Sequence, residues 1–177
     1  MELSEALARR RACREFREEP ISKDLVEKLT YAVRRAPTAC NAPYRHTIVV
    51  DDRRIIRAIK LVSPSLLASP PLLLVIVTDL KEAIEKTGPL AERSSYIDSG
   101  AAGENVLLAA TELGLGSQFT MIPAMAGIRE ILQLPGHYRV DLIIPIGYPQ
   151  NSAKSVRARK GANRVYYNQF GVPFEQG

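Results

Sequence analysis

Apolar positions recur along this chain with two periods, and the switches between them mark out its elements. Leu3, Ala6 and Leu7, with Arg10 one turn on, predict a short first helix running toward Cys13. Residues 14–16 read as extended and Pro20 closes the segment. Ser22 then stands where a helix N-cap belongs, with Ile21 and Val26 placed as a hydrophobic staple. Leu25, Val26, Leu29, Ala32, Val33 and Ala36 make the apolar stripe of that second helix, and Pro37 stops it. Residues 46–50 read as a strand, and Asp51 or Asp52 caps a short helix carrying Ile55, Ile56 and Ile59. An irregular connector over 63–71 leads into a strand at 72–78 that opens with six apolar residues in a row and so reads as buried on both faces. Residues 79–93 read as exposed and mobile, broken at Gly88-Pro89.

The most demanding stretch is 96–119. Asp98 or Ser99 serves as an N-cap and Gly114 as a left-handed C-terminal residue, with Ala101, Ala102, Val106, Leu107, Ala109, Ala110 and Leu113 between them. A helix apolar on more than one side is expected to be covered nearly all round. Its small residues, Gly100, Ala101, Ala102 and Gly103, let other backbones come close. Residues 118–122 then run extended, with N–H groups that could face a ligand. Pro123 suits the first turn of a further helix with Ile128, Ile131 and Leu132 inward, and Pro135-Gly136 forms a turn. Residues 140–148 form a last strand, and Pro145 inside it predicts an edge position or a bulge. From residue 150 the chain is polar and basic, yet it carries Val165, Tyr166, Tyr167, Phe170 and Phe174, a set that needs somewhere to dock. The order helix, helix, strand, helix, strand, helix, helix, strand, tail predicts an α+β fold with a small sheet.

Composition narrows the class. The 177 residues, 46% hydrophobic, are one domain's worth of chain with a real core. No apolar run approaches the length of a bilayer span, and the charged N-terminus lacks the apolar segment of a signal peptide, so a cytosolic protein is expected, with no membrane partner. Cys13 and Cys40 lack metal-type spacing and are expected as free thiols. The net charge of +5 is concentrated in Arg9, Arg10, Arg11, Arg14 and Arg17 and again in Lys154, Arg157, Arg159, Lys160 and Arg164. Such patches suit nucleic acid, a phosphate-bearing small molecule, or plain solvation. Arg10, Arg11 and Arg14 straddle the first helix end, where rigid guanidinium forks could converge on one anion. Thr38 and Asn41, in a loop between two prolines, offer a hydroxyl and an amide to a ligand or to their own backbone. There is no G-x-G-x-x-G after a strand, which argues against a dinucleotide-binding Rossmann domain. His46 and His137 have no nucleophile motif nearby, which argues against hydrolase chemistry.

Four stretches in order resemble the FMN-dependent nitroreductase family. R-R-A-C-R-E-F at 10–16 is similar to its opening R-R-S-x-R-x-F, and A-P-T-A-C-N-A-P-Y at 36–44 to A-P-S-x-x-N-x-Q-P-W. A-S-P-P-L-L-L-V-I-V at 68–77 resembles the family's second core strand, and residues 96–117 its central helix and glycine turn. R-A-R-K at 157–160 resembles its basic C-terminal element. The resemblance implies a single three-layer α+β domain over 1–177, a mainly antiparallel sheet flanked by helices, and an obligate homodimer in which residues 150–177 wrap the partner. It implies FMN held by Arg10, Arg11 and Arg14, joined by Arg157 and Arg159. Pro37, Thr38 and Asn41 would reach the FMN of the other subunit. Gln118, Phe119, Thr120 and Met121 would run along the isoalloxazine ring, and Lys60 is matched to its polar N1/O2 edge.

The sequence departs from the family pattern at Ala12, which replaces a serine, at Asn41-Ala42-Pro43, which lacks the glutamine, and at Tyr44, which replaces a tryptophan. The implied activity is ping-pong hydride transfer from NADH or NADPH to electron-poor small molecules such as nitroaromatics, quinones or flavins, with no metal and no catalytic side chain. The alternatives are a specialised member acting in enone reduction, dehalogenation or azoline oxidation, or a non-catalytic binder of nucleotides or nucleic acid. Nucleic acid is disfavoured because the basic clusters lack interleaved aromatics.

Overall fold

The structure is a computed structural model that describes residues 1–66, 69–120, 125–151 and 165–173. The apolar run forms β2 (Leu72–Asp79), whose residues are buried up to the last one. β2 pairs antiparallel with β1 (Arg45–Val50) on one side and with β4 (Tyr138–Gly147) on the other. The short β3 (Gly116–Ser117) lies beyond β4, giving the order β1-β2-β4-β3. Leu72, Leu74 and Ile76 face α2 (Lys23–Arg34) and α5 (Ala91–Glu112), meeting Leu29, Val33, Ala102, Val106 and Leu107. Leu73, Val75 and Val77 face the other way, onto Ile56 and Ile59 of α3 (Arg53–Val62) and Ile128 of α6 (Met125–Ile131). The alternation of a strand thus feeds two cores, which is why its sequence shows no polar face. Each fully buried Leu or Ile here contributes about 1.5–3 kcal/mol. The three-layer α+β arrangement is the one the resemblance implied.

Several local expectations hold. Asp52 caps α3, its carboxylate accepting from the Arg54 N–H at 2.7 Å, and Gly114 takes φ +73° after α5. Ser22 occupies the N-cap position of α2 although its side chain makes no capping bond.

Three others are corrected. The first helix, α1 (Leu3–Arg9), stops before Cys13 because the chain from Ala12 onward pairs with Ser117. Residues 79–93 are not an exposed, mobile stretch. Asp79 accepts from the Glu82 N–H at 3.1 Å and so caps α4 (Leu80–Thr87). Pro89 then sits at the start of a 3₁₀ turn, Gly88–Leu90, where its missing N–H costs nothing. The chain re-enters a helix at Ala91, so Asp98 and Ser99 lie inside α5 and not at its start.

Pro145 marks no bulge. The register slips at Asp141: Ile76 pairs with Leu142 and Val77 with Val140. In consequence two consecutive residues, Asp141 and Leu142, face α5. Asp141 accepts from Ser99 Oγ at 2.6 Å, while Leu142 lies against Gly103. Pro145 is tolerated inside the sheet because its ring nitrogen points to the β3 side, the side on which the Ile143 carbonyl accepts from Thr120. Pairing there lapses between Ser117 and Thr120, so no donor is required of it.

Candidate functional site

The arginine segment is laid down by its backbone. Ala12 bridges Ser117 in parallel, and the Cys13 N–H donates to the Ser117 carbonyl at 3.0 Å. Four residues on, the Arg17 N–H donates to the Tyr148 carbonyl at 2.8 Å. Two glycines permit this contact. A Cβ on Gly116 would stand 2.5 Å from Cys13 Sγ, and one on Gly147 would stand 2.8 Å from Phe16 Cδ1 and 2.7 Å from Pro71 Cδ. Residues 10–16, the run 116–120 and the entry to β2 therefore share one end of the sheet. Arg10 Nε meets Glu104 Oε1 of α5 at 3.0 Å, Arg11 is half-buried and Arg14 is exposed. Burial pushes the Cys13 thiol up, against the opposing pull of the Glu15 backbone hydrogen bond and Arg11, so it is not an activated nucleophile. Lys60, in the last turn of α3, donates to Ser69 Oγ at 2.8 Å, two residues before Pro71. Met121, Arg157 and Arg159 fall outside the described residues.

In the run itself Gln118 and Thr120 are buried and Phe119 is 41% exposed. Thr120 Oγ1 is buried with no hydrogen-bond partner among the described residues. The Phe119 ring rests on α5 where Gly103 leaves room: a Cβ there would come within 2.5 Å of Phe119 Cε1 and 2.9 Å of Leu142 Cδ1. Gly103→Ala is accordingly expected to push the ring outward at about 1–3 kcal/mol of stability. A thermal melt together with near-ultraviolet circular dichroism would show it, and an unchanged aromatic signal would deny the contact.

Pro37, Thr38 and Asn41 belong to a different construction. Cys40 and Asn41 both take left-handed backbone, φ +56° and +52°, which is unusual for consecutive residues other than glycine. The turn is held from below by Asp98, whose carboxylate accepts from the Ala39 N–H at 2.7 Å and from the Tyr44 hydroxyl in a short hydrogen bond. Arg45 secures its entrance, donating to the carbonyls of Val33, Ala36, Pro37 and Asp98 at 3.0–3.1 Å. Arg45 thereby satisfies carbonyls that α2 leaves open at its C-terminus. Burial holds the guanidinium below its ordinary range and Tyr44 above its own. The sequence reading took Asp98 for a cap and passed over Arg45. The available signal was a carboxylate directly ahead of the small residues 99–103, which has to be paired if it is buried.

The structure brings the arginines and the run 116–120 together and keeps the Thr38–Asn41 turn away from them. Phe16 packs by the start of β2, whereas the Asp79 N–H at its end donates to the Tyr44 carbonyl at 2.8 Å. The length of β2 between them is roughly 24 Å. Arg10 and Ala39 also grip α5 six residues apart, at Glu104 and Asp98, about two-thirds of a turn around the axis.

A second buried polar set lies under α5. Asp141 accepts from Thr78 Oγ1 and Ser99 Oγ, both at 2.6 Å, and from Arg139 Nε at 2.5 Å, and Arg139 reaches Ser95 Oγ at 2.7 Å. The guanidinium of Arg139 stacks 3.6 Å from the centre of the Tyr96 ring.

Comparison with known proteins yields one family. Residues 7–69 and 57–148 match the sequence profile of the "Nitroreductase family". The chain is 29% identical over 155 residues to a protein of Methanothermobacter thermautotrophicus provisionally named NADH dehydrogenase/NAD(P)H nitroreductase, covering 84% of this chain and 78% of the other. A protein of the same provisional name from Archaeoglobus fulgidus is 30% identical over 148 residues, covering 80% and 82%. Among solved structures, the FMN-dependent nitroreductase of Clostridium difficile R20291 superposes with a TM-score of 0.80 at 28% identity, covering 93% of this chain and 98% of that one.

Proposed function

The chain belongs to the nitroreductase family, and on that premise we propose that it is an FMN-dependent oxidoreductase passing hydride from NADH or NADPH to an electron-poor small molecule. The observation that carries the reading is the seating of the arginine segment beside the run 116–120, with Thr120 Oγ1 buried and unmet there. The donor set fits FMN. Guanidinium forks on Arg10, Arg11 and Arg14 suit a phosphate dianion, and the buried, polar Gln118 and Thr120 suit the heteroatom edge of a flat ring. FMN, when bound, supplies the hydride chemistry of its isoalloxazine ring, and the protein binds it, orients it and tunes its charge. Lys60 would place a positive charge toward the N1/O2 edge and favour the reduced anion there. Phe119 would form part of the open wall that admits the nicotinamide donor and then the acceptor. Nitroaromatics, quinones and free flavins are the proposed acceptors. Arg157, Arg159 and Met121 enter this assignment on the family resemblance.

A homodimer is part of the same proposal. Since Thr38 and Asn41 lie at the opposite end of the sheet from Arg14, their contribution to an FMN site would come from the partner. Two further observations support it. Ile97 of α5 is 63% exposed in the single chain, and Leu3 and Leu7 stand on the exposed side of α1. Phe170, in the described part of the tail, is 90% exposed. A tail wrapped over a second copy would cover such residues. No helix among the described residues is long and apolar enough to cross a membrane, and the dependence on NAD(P)H supports a cytoplasmic setting.

The test is a flavin-fluorescence titration. FMN is expected to bind saturably at one per chain, and Arg14→Ala to raise its dissociation constant roughly ten- to hundred-fold through loss of a charge-assisted contact. Riboflavin lacks the phosphate and should hardly respond. Arg17, which pairs with Glu19 at 3.5 Å and lies over the Tyr148 ring, is the control and its Ala variant should bind both ligands as the parent does. Absence of saturable FMN binding would overturn the function. Equal losses for FMN and riboflavin would remove Arg14 from the phosphate site.

A further inference from the structure

Both histidines of the chain, His46 and His137, stand at one place, the end of the sheet away from the arginine segment. His46 leaves the start of β1, Asp79 ends β2, Glu82 lies in the first turn of α4, and His137 immediately precedes β4. The ligating atoms of His46, Asp79 and Glu82 all lie within 4.8 Å of one another. His137 Nε2 adds a second imidazole 3.6 Å from Asp79 Oδ2. That separation is long for a hydrogen bond. It is close to the edge of a coordination tetrahedron, about 3.4 Å for bonds of the usual zinc length.

The ordinary explanation for an Asp and a Glu three residues apart at a helix start is a capping box. Here the box is only half made. Asp79 accepts from the Glu82 N–H, but the return bond is unavailable because the Asp79 N–H already donates to the Tyr44 carbonyl at 2.8 Å. The Glu82 carboxylate is turned toward His46 instead. Asp79 is fixed by its cap, His46 and His137 are carried on strand ends, and the exposure of His46 leaves a way in from solvent. Two carboxylates would neutralise a dication, and the imidazole selects a first-row transition ion over magnesium or calcium.

The geometry points to a divalent transition-metal site, of the kind zinc fills, formed by His46, Asp79 and Glu82 with His137 beside Asp79. It is independent of the flavin assignment. Such an ion would fasten β1, β2 and α4 directly beneath the turn that carries Thr38 and Asn41, because Tyr44 links Asp79 to Asp98.

The experiment is equilibrium dialysis of the full chain, stripped with chelator and supplied with its flavin, against buffered zinc chloride, followed by elemental analysis. One zinc per chain is expected. His46→Gln and Glu82→Gln should each weaken binding at least tenfold, and both spare the Asp79 cap and so the fold, which circular dichroism would verify. A variant with Cys13→Ser and Cys40→Ser should bind as the parent does. Zinc should also raise the melting temperature of the parent and not that of the His46 or Glu82 variants. No saturable zinc, zinc retained by the combined His46→Gln, Glu82→Gln variant, or magnesium bound as tightly as zinc would each overturn the assignment.

Discussion

Asp98→Ala is expected to cost about 3 kcal/mol or more of folding stability, a large part of the 5–15 kcal/mol that a domain of this size has. The substitution removes the carboxylate oxygen that two donors share. The Tyr44 hydroxyl belongs to a side chain with no exposed surface, and the Ala39 N–H sits in the left-handed turn. Each buried donor left unmet costs about 1–3 kcal/mol. The Arg45 guanidinium also loses the carboxylate whose charge offsets its burial. Asp98→Asn keeps an oxygen for one donor and should cost less than half as much. Tyr44→Phe removes a donor and leaves Asp98 bonded to Ala39, and should be milder than Asp98→Ala. Urea unfolding of the three variants would give the order. Were Asp98→Ala no worse than Tyr44→Phe, the Ala39 bond and the Arg45 charge would contribute nothing. Thr38 and Asn41 hang from this turn, so any FMN contact they make should loosen with it, while Arg14 stays seated by Ser117.

How far such a network can be read from sequence depends on the range of its contacts. The continuous apolar run at 72–77 announced a strand covered on both faces, and the stripes of α2 and α3 announced which sides of them are inward. Those signals are local. Asp98 and Ser99 carried a misleading local signal, since a polar residue ahead of an apolar run looks alike whether it caps a helix or serves partners 42 to 59 positions away. The helix at 80–87 was missed because it buries little besides Ala83 and ends at a Gly-Pro pair that also suits a loop. The bulge at Asp141 has no signature of its own, as it exists only through the pairing of β4 with β2. His46 and His137 are 91 positions apart, and only the register of β1, β2 and β4 sets them around Asp79. The arginines at 10, 11 and 14 were legible as an anion site only with the family pattern beside them, because a solvated basic helix end has the same composition.

That the two halves of the proposed flavin site lie at opposite ends of the sheet gives a test that no single variant provides. If each site takes its arginines from one chain and its Thr38–Asn41 turn from the other, then Arg14→Glu and Asn41→Asp damage complementary halves. Aspartate tolerates the left-handed backbone at position 41 better than most residues do, so the turn itself should survive. Each change sets a carboxylate toward an anionic cofactor in place of a neutral or positive partner. Each homogeneous variant is therefore expected to bind FMN at least roughly tenfold more weakly than the parent. Co-expression with two different affinity tags allows the hybrid dimer to be isolated. In it, the intact arginines of the Asn41→Asp chain face the intact Asn41 of the Arg14→Glu chain, which restores one site, while the other site carries both defects. The hybrid should hold about one FMN per dimer with parental affinity and about half the parental activity, where both homogeneous variants hold little. Were both halves contributed by the same chain, every site in the hybrid would carry one defect and nothing would be restored. An empty hybrid beside an FMN-loaded parent would place Arg14 and Asn41 on the same subunit's cofactor and would remove the shared site while leaving the flavin assignment standing.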